Sequence, residues 1–320
     1  MRCLVTGGAG FIGSHLVEHL LALGDDVVVL DDLSTGSERN LAAVASHPRL
    51  RLIKGDICVP DTVARAMEGV DEVYHLAAAV GVFTILDRTL ESLRTNLTGT
   101  ETVLDAARRH DVPLLLASTS EVYGKNTAEG LTEEDDRILG SPLKSRWSYS
   151  EAKALDETLA ALYAARYGLR MVIARLFNTV GPRQSGQYGM VIPRFVDQAL
   201  AGEPLTVFGD GTQIRCFCHV ADVVPALVTL LRTEDAHGTV YNIGGTQPVT
   251  ITELAERTIA ATGSAGTLAK IPYTEAYGAG FEDMRRRVPN CDKAYRAIGF
   301  RAARTLDEII ADVVAERRAL

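Results

Sequence analysis

Tyr149 and Lys153 stand four residues apart in the stretch Ser145-Arg-Trp-Ser-Tyr-Ser-Glu-Ala-Lys153. On a helix that spacing puts both side chains on one face, one turn apart. A free phenol loses its proton near pH 10 (roughly), and a cation beside it favours the phenolate. The pair is therefore a candidate base for an alcohol at neutral pH. Taken alone, Tyr-x-x-x-Lys also fits many exposed helix faces, so its meaning depends on what the chain places around it.

A second group of residues opens the chain. Thr6-Gly-Gly-Ala-Gly-Phe-Ile-Gly13 sets glycines at 7, 10 and 13 after an apolar run and before a helical pattern. Gly7 permits a tight turn, Gly10 lets a pyrophosphate approach the backbone, and Gly13 allows close helix packing, with Phe11 and Ile12 starting the helix. The helix N-terminus offers donors and partial positive charge to phosphates. Asp31 ends the next apolar run, and Asp32 follows it, with no Arg or Lys before Arg39. A carboxylate there accepts from adenosine ribose hydroxyls and repels a 2′-phosphate, which selects NAD over NADP. Asp56-Ile57 follows a third apolar run, where an adenine edge would lie, and Leu76-Ala77-Ala78 follows a fourth, small enough for a cofactor to rest on. Ser118-Thr119-Ser120-Glu121 ends a fifth. Hydroxyls at such a tip point into the ligand crevice of an open α/β sheet, where one can bond the alcohol that Tyr149 deprotonates.

The elements that must position these groups alternate. Strands are predicted at Cys3–Thr6, Asp26–Asp31, Leu50–Lys54, Glu72–Leu76, Pro113–Ser118 and Arg170–Arg175. Helices are predicted at Phe11–Leu23, Leu90–Arg109 and from the Tyr149 stretch to about Tyr167. This pattern predicts an α/β fold, a Rossmann-type doubly wound parallel sheet. After Phe177 glycines and prolines become frequent and the alternation breaks, which predicts a smaller C-terminal substrate lobe. Residues 1–177, with a returning segment at about 214–245, read as the NAD-binding domain, and 178–213 with 246–320 as the substrate lobe. Within these, Asp222–Leu231 and Thr252–Ala261 read as helices and Thr239–Ile243 as a strand.

The chain of 320 residues is 47 % hydrophobic and 23 % charged, enough to bury a sizeable core. A formal charge of −8 argues against general nucleic-acid binding. Cys3, Cys58, Cys216, Cys218 and Cys291 form no Cys-x-x-Cys pair and no zinc spacing, so no metal is expected and reduced thiols of a cytoplasmic protein are. The chain enters a strand at Arg2 without a basic-then-apolar leader and holds no apolar run of membrane-spanning length.

Together these motifs resemble an extended short-chain dehydrogenase/reductase of the NAD-dependent sugar epimerase/dehydratase family. The resemblance continues through Leu176-Phe-Asn-Thr-Val-Gly-Pro-Arg183, Gly209-Asp-Gly-Thr-Gln-Ile-Arg-Cys-Phe217 and Arg285-Arg-Arg-Val-Pro289, and so covers essentially the whole chain. It implies NAD that stays bound and oxidation of a UDP-sugar at C4. It implies Tyr149 as base, Lys153 lowering its pKa and holding the nicotinamide ribose, and Thr119 and Ser120 on the sugar hydroxyl. Asn178, Arg215 and Arg287 are implied to contact the substrate, the two arginines clamping a diphosphate or a sugar acid, as planar guanidiniums suit. Thr119-Ser120-Glu121 is similar to UDP-glucuronate decarboxylases, with Glu121 implied in proton handling at C5. Gly189-Met190-Val191 lacks the arginine many of them resemble there, which leaves a UDP-glucose or UDP-glucuronate 4-epimerase as the alternative. A reading of another class, a non-catalytic NAD-binding regulator, has intact Tyr149 and Lys153 against it. The family's usual four-helix pairing implies a homodimer through Leu90–Arg109 and Glu151–Tyr167.

Overall fold

The structure, a computed structural model, describes residues 1–79, 89–186, 189–278 and 282–319. The first half runs β1 (Arg2–Thr6), α1 (Phe11–Ala22), β2 (Asp26–Asp31), β3 (Leu50–Lys54), α2 (Pro60–Met67), β4 (Glu72–His75), α3 (Thr89–His110), β5 (Leu114–Thr119), α4 (Ser148–Tyr167) and β6 (Met171–Leu176). The second half adds β7 (Thr179–Val180), α5 (Val191–Leu200), β8 (Leu205–Phe208), β9 (Ile214–Arg215), β10 (Cys218–His219), α6 (Val220–Arg232) and β11 (Thr239–Ile243). It closes with β12 (Val249–Thr250), α7 (Ile251–Thr262), β13 (Leu268–Ile271), α8 (Tyr273–Tyr277), β14 (Arg286–Arg287), α9 (Asp292–Ile298) and α10 (Leu306–Ala319).

The near-continuous Val/Leu/Ile runs of β1, β2, β5 and β6 are buried on both faces, as a parallel sheet covered by helices requires. Seven strands pair in the order β11-β6-β5-β4-β1-β2-β3, all parallel. The order reverses at β1, between β4 and β2. Chains leaving the carboxyl ends of β1 and β4 cross to opposite sides there, and a crevice opens. On one face an apolar cluster gathers Leu16, Leu20, Val223 and Leu227 from α1 and α6. On the other, Val63, Met67, Val103, Leu104 and Ala160 come from α2, α3 and α4. A third cluster, with Phe195, Leu254 and Ile310 from α5, α7 and α10, stands apart from the sheet.

Two segments cross the division expected from sequence. Ile214–Arg215 pairs with β12 and β14 in a small sheet of its own, away from the main one. Cys291, Ala294 and Phe300 join the α1/α6 cluster against the large sheet. Pairing partners far along the chain decide both placements, and no local pattern announces them.

Candidate active site

A cavity of about 950 Å³ runs across the carboxyl ends of the central strands. Its first end is the β1–α1 turn. Gly7 adopts φ +71°, and a Cβ there would stand 2.8 Å from the Ala77 amide nitrogen. A Cβ on Gly13 would meet the Gly7 carbonyl at 2.1 Å, so the helix can pack this closely only without a side chain. Gly10 caps α1 with no side-chain hydrogen bond, and no acid lies in the first turn. Its N–H groups are thus left for an anion in the cavity that Gly7, Gly10, Phe11, Ile12 and Gly13 line. Asp31 is buried at the same end, its carboxylate accepting from Ala9 N–H at 2.9 Å and Leu33 N–H at 2.8 Å. Burial pushes its pKa up and those two bonds pull it back only in part. Asp32, Ile57, Leu76, Ala77 and Ala78 line the cavity as well. Asp56 does not: it is exposed, accepts from the Cys58 N–H at 2.8 Å and caps the start of the next turn.

The reactive end forms where β5 meets α4. A tight turn over Ser145–Trp147 leads into the helix, which ends on Gly168 at φ +71°. That helix carries Tyr149 and Lys153 on its inner face beside Ser120. Thr119 Oγ accepts from the Glu121 N–H at 3.2 Å and so shapes the turn that holds Ser120 and Glu121. The Lys153 ammonium pairs with Asp156 at 3.1 Å, both side chains buried. Burial pushes the Tyr149 phenol up, and the carboxylates of Glu121 and Asp156 push it further.

Glu121 is gripped from two sides, by Arg146 Nη1 at 2.7 Å and by Arg287 Nη1. Burial raises its pKa, but the two guanidiniums more than reverse this and hold it at about 2. Arg287 also donates to Asn178 Oδ1, and Asn178 donates to the Cys216 carbonyl at 2.7 Å from a left-handed backbone at φ +27°. Arg215 bonds Asp283 at 3.0 Å, which also accepts from Tyr273 Oη at 2.9 Å. Asn178, Arg215 and Arg287 all line the cavity. At this end the guanidiniums of Arg146, Arg215 and Arg287 pair with the carboxylates of Glu121 and Asp283, and Arg194 also lines the cavity. Four cations against two anions suit an anionic ligand.

Sequence reasoning missed Asp283, Arg194 and Asp156. Asp283 comes in from a segment remote in sequence. Asp156 had a local signal: three residues after Lys153 on a helix, it falls on the same face.

A doubly wound sheet, a glycine turn at its switch point and a Tyr–Lys helix beside a hydroxyl-bearing strand tip define a dinucleotide-dependent enzyme. The model of the NAD dependent epimerase/dehydratase family matches residues 3–244, and the chain belongs to that family. It is 40 % identical over 293 residues to a UDP-N-acetyl-alpha-D-glucosaminuronate decarboxylase of Bacillus cytotoxicus, covering 91 % of this chain and 90 % of that one. It is 36 % identical over 318 residues to UDP-glucuronic acid decarboxylase 1 of Arabidopsis thaliana, covering 99 % and 70 %. The crystal structure of a Bacillus cereus UDP-glucuronic acid 4-epimerase with UDP-glucuronic acid and NAD superposes with a TM-score of 0.90. It is 28 % identical and covers 100 % of this chain and 99 % of that one. The cradle built by Gly7, Gly10 and Gly13, with Asp31 beyond it, fits NAD.

Proposed function

We propose that this chain decarboxylates a UDP-linked uronic acid after oxidation at C4. The observation that carries the reading is the Arg287–Glu121 contact. The Glu121 charge reaches Tyr149, so the contact sets a carboxylate-binding guanidinium at the reactive end of the cavity. Two curated relatives named as uronate decarboxylases support it. Bound NAD supplies the hydride acceptor for C4. Tyr149 Oη takes the proton of the C4 hydroxyl, which Ser120 and Thr119 orient, and Lys153 holds the ribose beside them. A C4 ketone lies β to the C6 carboxylate, so CO2 leaves and an enolate remains. Arg287 orients that carboxylate. Glu121, ionised at neutral pH, steers Arg287 and orients the water that protonates the enolate at C5. Arg215 and Asn178 hold the diphosphate and the sugar.

Met190, which lines the cavity where many decarboxylases resemble Gly-Arg-Val, favours a second reading, 4-epimerisation. Mass spectrometry of products from UDP-glucuronate, UDP-N-acetylglucosaminuronate and UDP-glucose separates the two. Loss of CO2 from a uronate supports decarboxylation, and an unchanged mass with inverted C4 rejects it.

The division into an NAD-binding domain and a substrate lobe belongs to the same reading. So does a homodimer through α3 and α4, whose outer faces leave Leu90, Leu155, Leu162 and Tyr167 exposed. Among the described residues no helix is long and apolar enough to cross a membrane. A cytoplasmic location is supported by five free cysteines.

A further inference from the structure

Asp156 is wholly buried one turn below the catalytic pair on α4, and its partner is Lys153. A buried carboxylate is costly unless its charge is answered. Around it stand Tyr149, Lys153 and Glu157 from its own helix, Thr100 from α3 and, beyond Thr100, His75 from β4, while Glu121 from the turn after β5 acts on Tyr149. Neither Asp156 oxygen completes a well-directed hydrogen bond, so the ammonium of Lys153 is what balances it.

A polar chain ends on this carboxylate. The Ala77 N–H donates to Thr6 Oγ at 3.3 Å, which leaves the Thr6 hydroxyl proton for His75 Nδ1 at 2.7 Å. His75 is then neutral, in keeping with burial and then the Lys153 charge lowering its pKa to about 3. Its Nε2 hydrogen-bonds Thr100 Oγ at 3.1 Å, and Thr100 stands beside Asp156. Burial pushes the Asp156 pKa up, and the Lys153 ammonium, then the Thr100 hydroxyl, pull it back only in part.

We propose that Asp156 is a positioning residue acting through Lys153: it fixes the ammonium one turn below Tyr149 and balances its charge. The inference rests on Tyr149 as the base. With Lys153 so balanced, its ammonium favours the Tyr149 phenolate less than an unpaired ammonium there would.

The test is a phenolate titration by ultraviolet absorbance in the protein as purified, with the cofactor state held the same in all variants. The Tyr149→Phe protein serves as the subtraction blank. Removing the balancing charge in Asp156→Asn exposes Tyr149 to Lys153, and the Tyr149 midpoint should fall by about one pH unit or more. A smaller fall, or a rise, overturns the proposal, as does lower activity at all pH values with no change in midpoint. If Asp156→Asn does not fold, the double variant Lys153→Met/Asp156→Asn decides. Removal of both charges of a balanced pair should move the midpoint by less than about one unit, and a larger move overturns the proposal. No sugar is needed, so a failed substrate panel and a failed titration are distinguishable.

Discussion

Tyr149 illustrates how burial and charge decide what a side chain does. Its phenol is held above its ordinary range by burial and by two carboxylates, so it waits in the protonated state until positive charge arrives. Tyr149→Phe keeps the ring and removes the proton acceptor, and turnover should drop about a hundredfold or more, measured as product formation on the accepted UDP-sugar. Glu121 is set the opposite way. Its folded pKa of about 2 lies below the ordinary 4.5. A depressed carboxylate adds stability that is fully present above the unfolded pKa and is lost as pH falls through the folded one. Between pH 4.5 and 2 the wild type should therefore lose an advantage of roughly 3 kcal/mol over Glu121→Gln, read from denaturant melts at each pH. The same variant misaligns Arg287 and should slow CO2 release on the order of a hundredfold. At the other end, Asp31 faces the cavity with its carboxylate fixed by two backbone N–H groups. A 2′-phosphate there meets a like charge, and calorimetry should find NADP at least about tenfold weaker than NAD.

Among the elements, the β1–α1 turn is the most constrained. A Cβ on Gly13 would overlap the backbone carbonyl of Gly7, which has no flexible end to move aside. Gly13→Ala should cost about 1–3 kcal/mol and sharply weaken NAD binding. Gly238 also has a positive φ, +80°, but a Cβ there meets nothing within 4 Å. Gly238→Ala should lose only the smaller backbone cost and bind NAD as the wild type does. Thermal melts with and without NAD distinguish close packing from backbone strain.

At the scale of the molecule, α3 and α4 pack on each other and present an apolar outer face. Leu155 and Leu162 lie two turns apart on the helix that bears the catalytic pair, 46 % and 58 % exposed. A second copy covering them makes an isologous interface. Sedimentation should give twice the 34.5 kDa chain mass, and Leu155→Glu/Leu162→Glu should give the monomer.

What the chain by itself determined lies in short range. The glycine turn, the Asp31 strand end, the strand-tip hydroxyls and the Tyr149–Lys153 spacing were legible because one β–α unit fixes their geometry within a few residues. The parallel sheet followed from the alternation of apolar runs with helices, and the strand ends observed lie within a residue or two of those expected. Tertiary structure decided how the charges are shared. Arg146, 25 residues on, and Arg287, 166 residues on, both reach Glu121, and Asp283 takes Arg215. Asp56 turned out to cap its own loop at the surface. Sequence spacing says which groups share a helix face. Ion pairing depends instead on distance and burial between segments that no local pattern links, and only packing brings Arg287 to Glu121, 166 residues away.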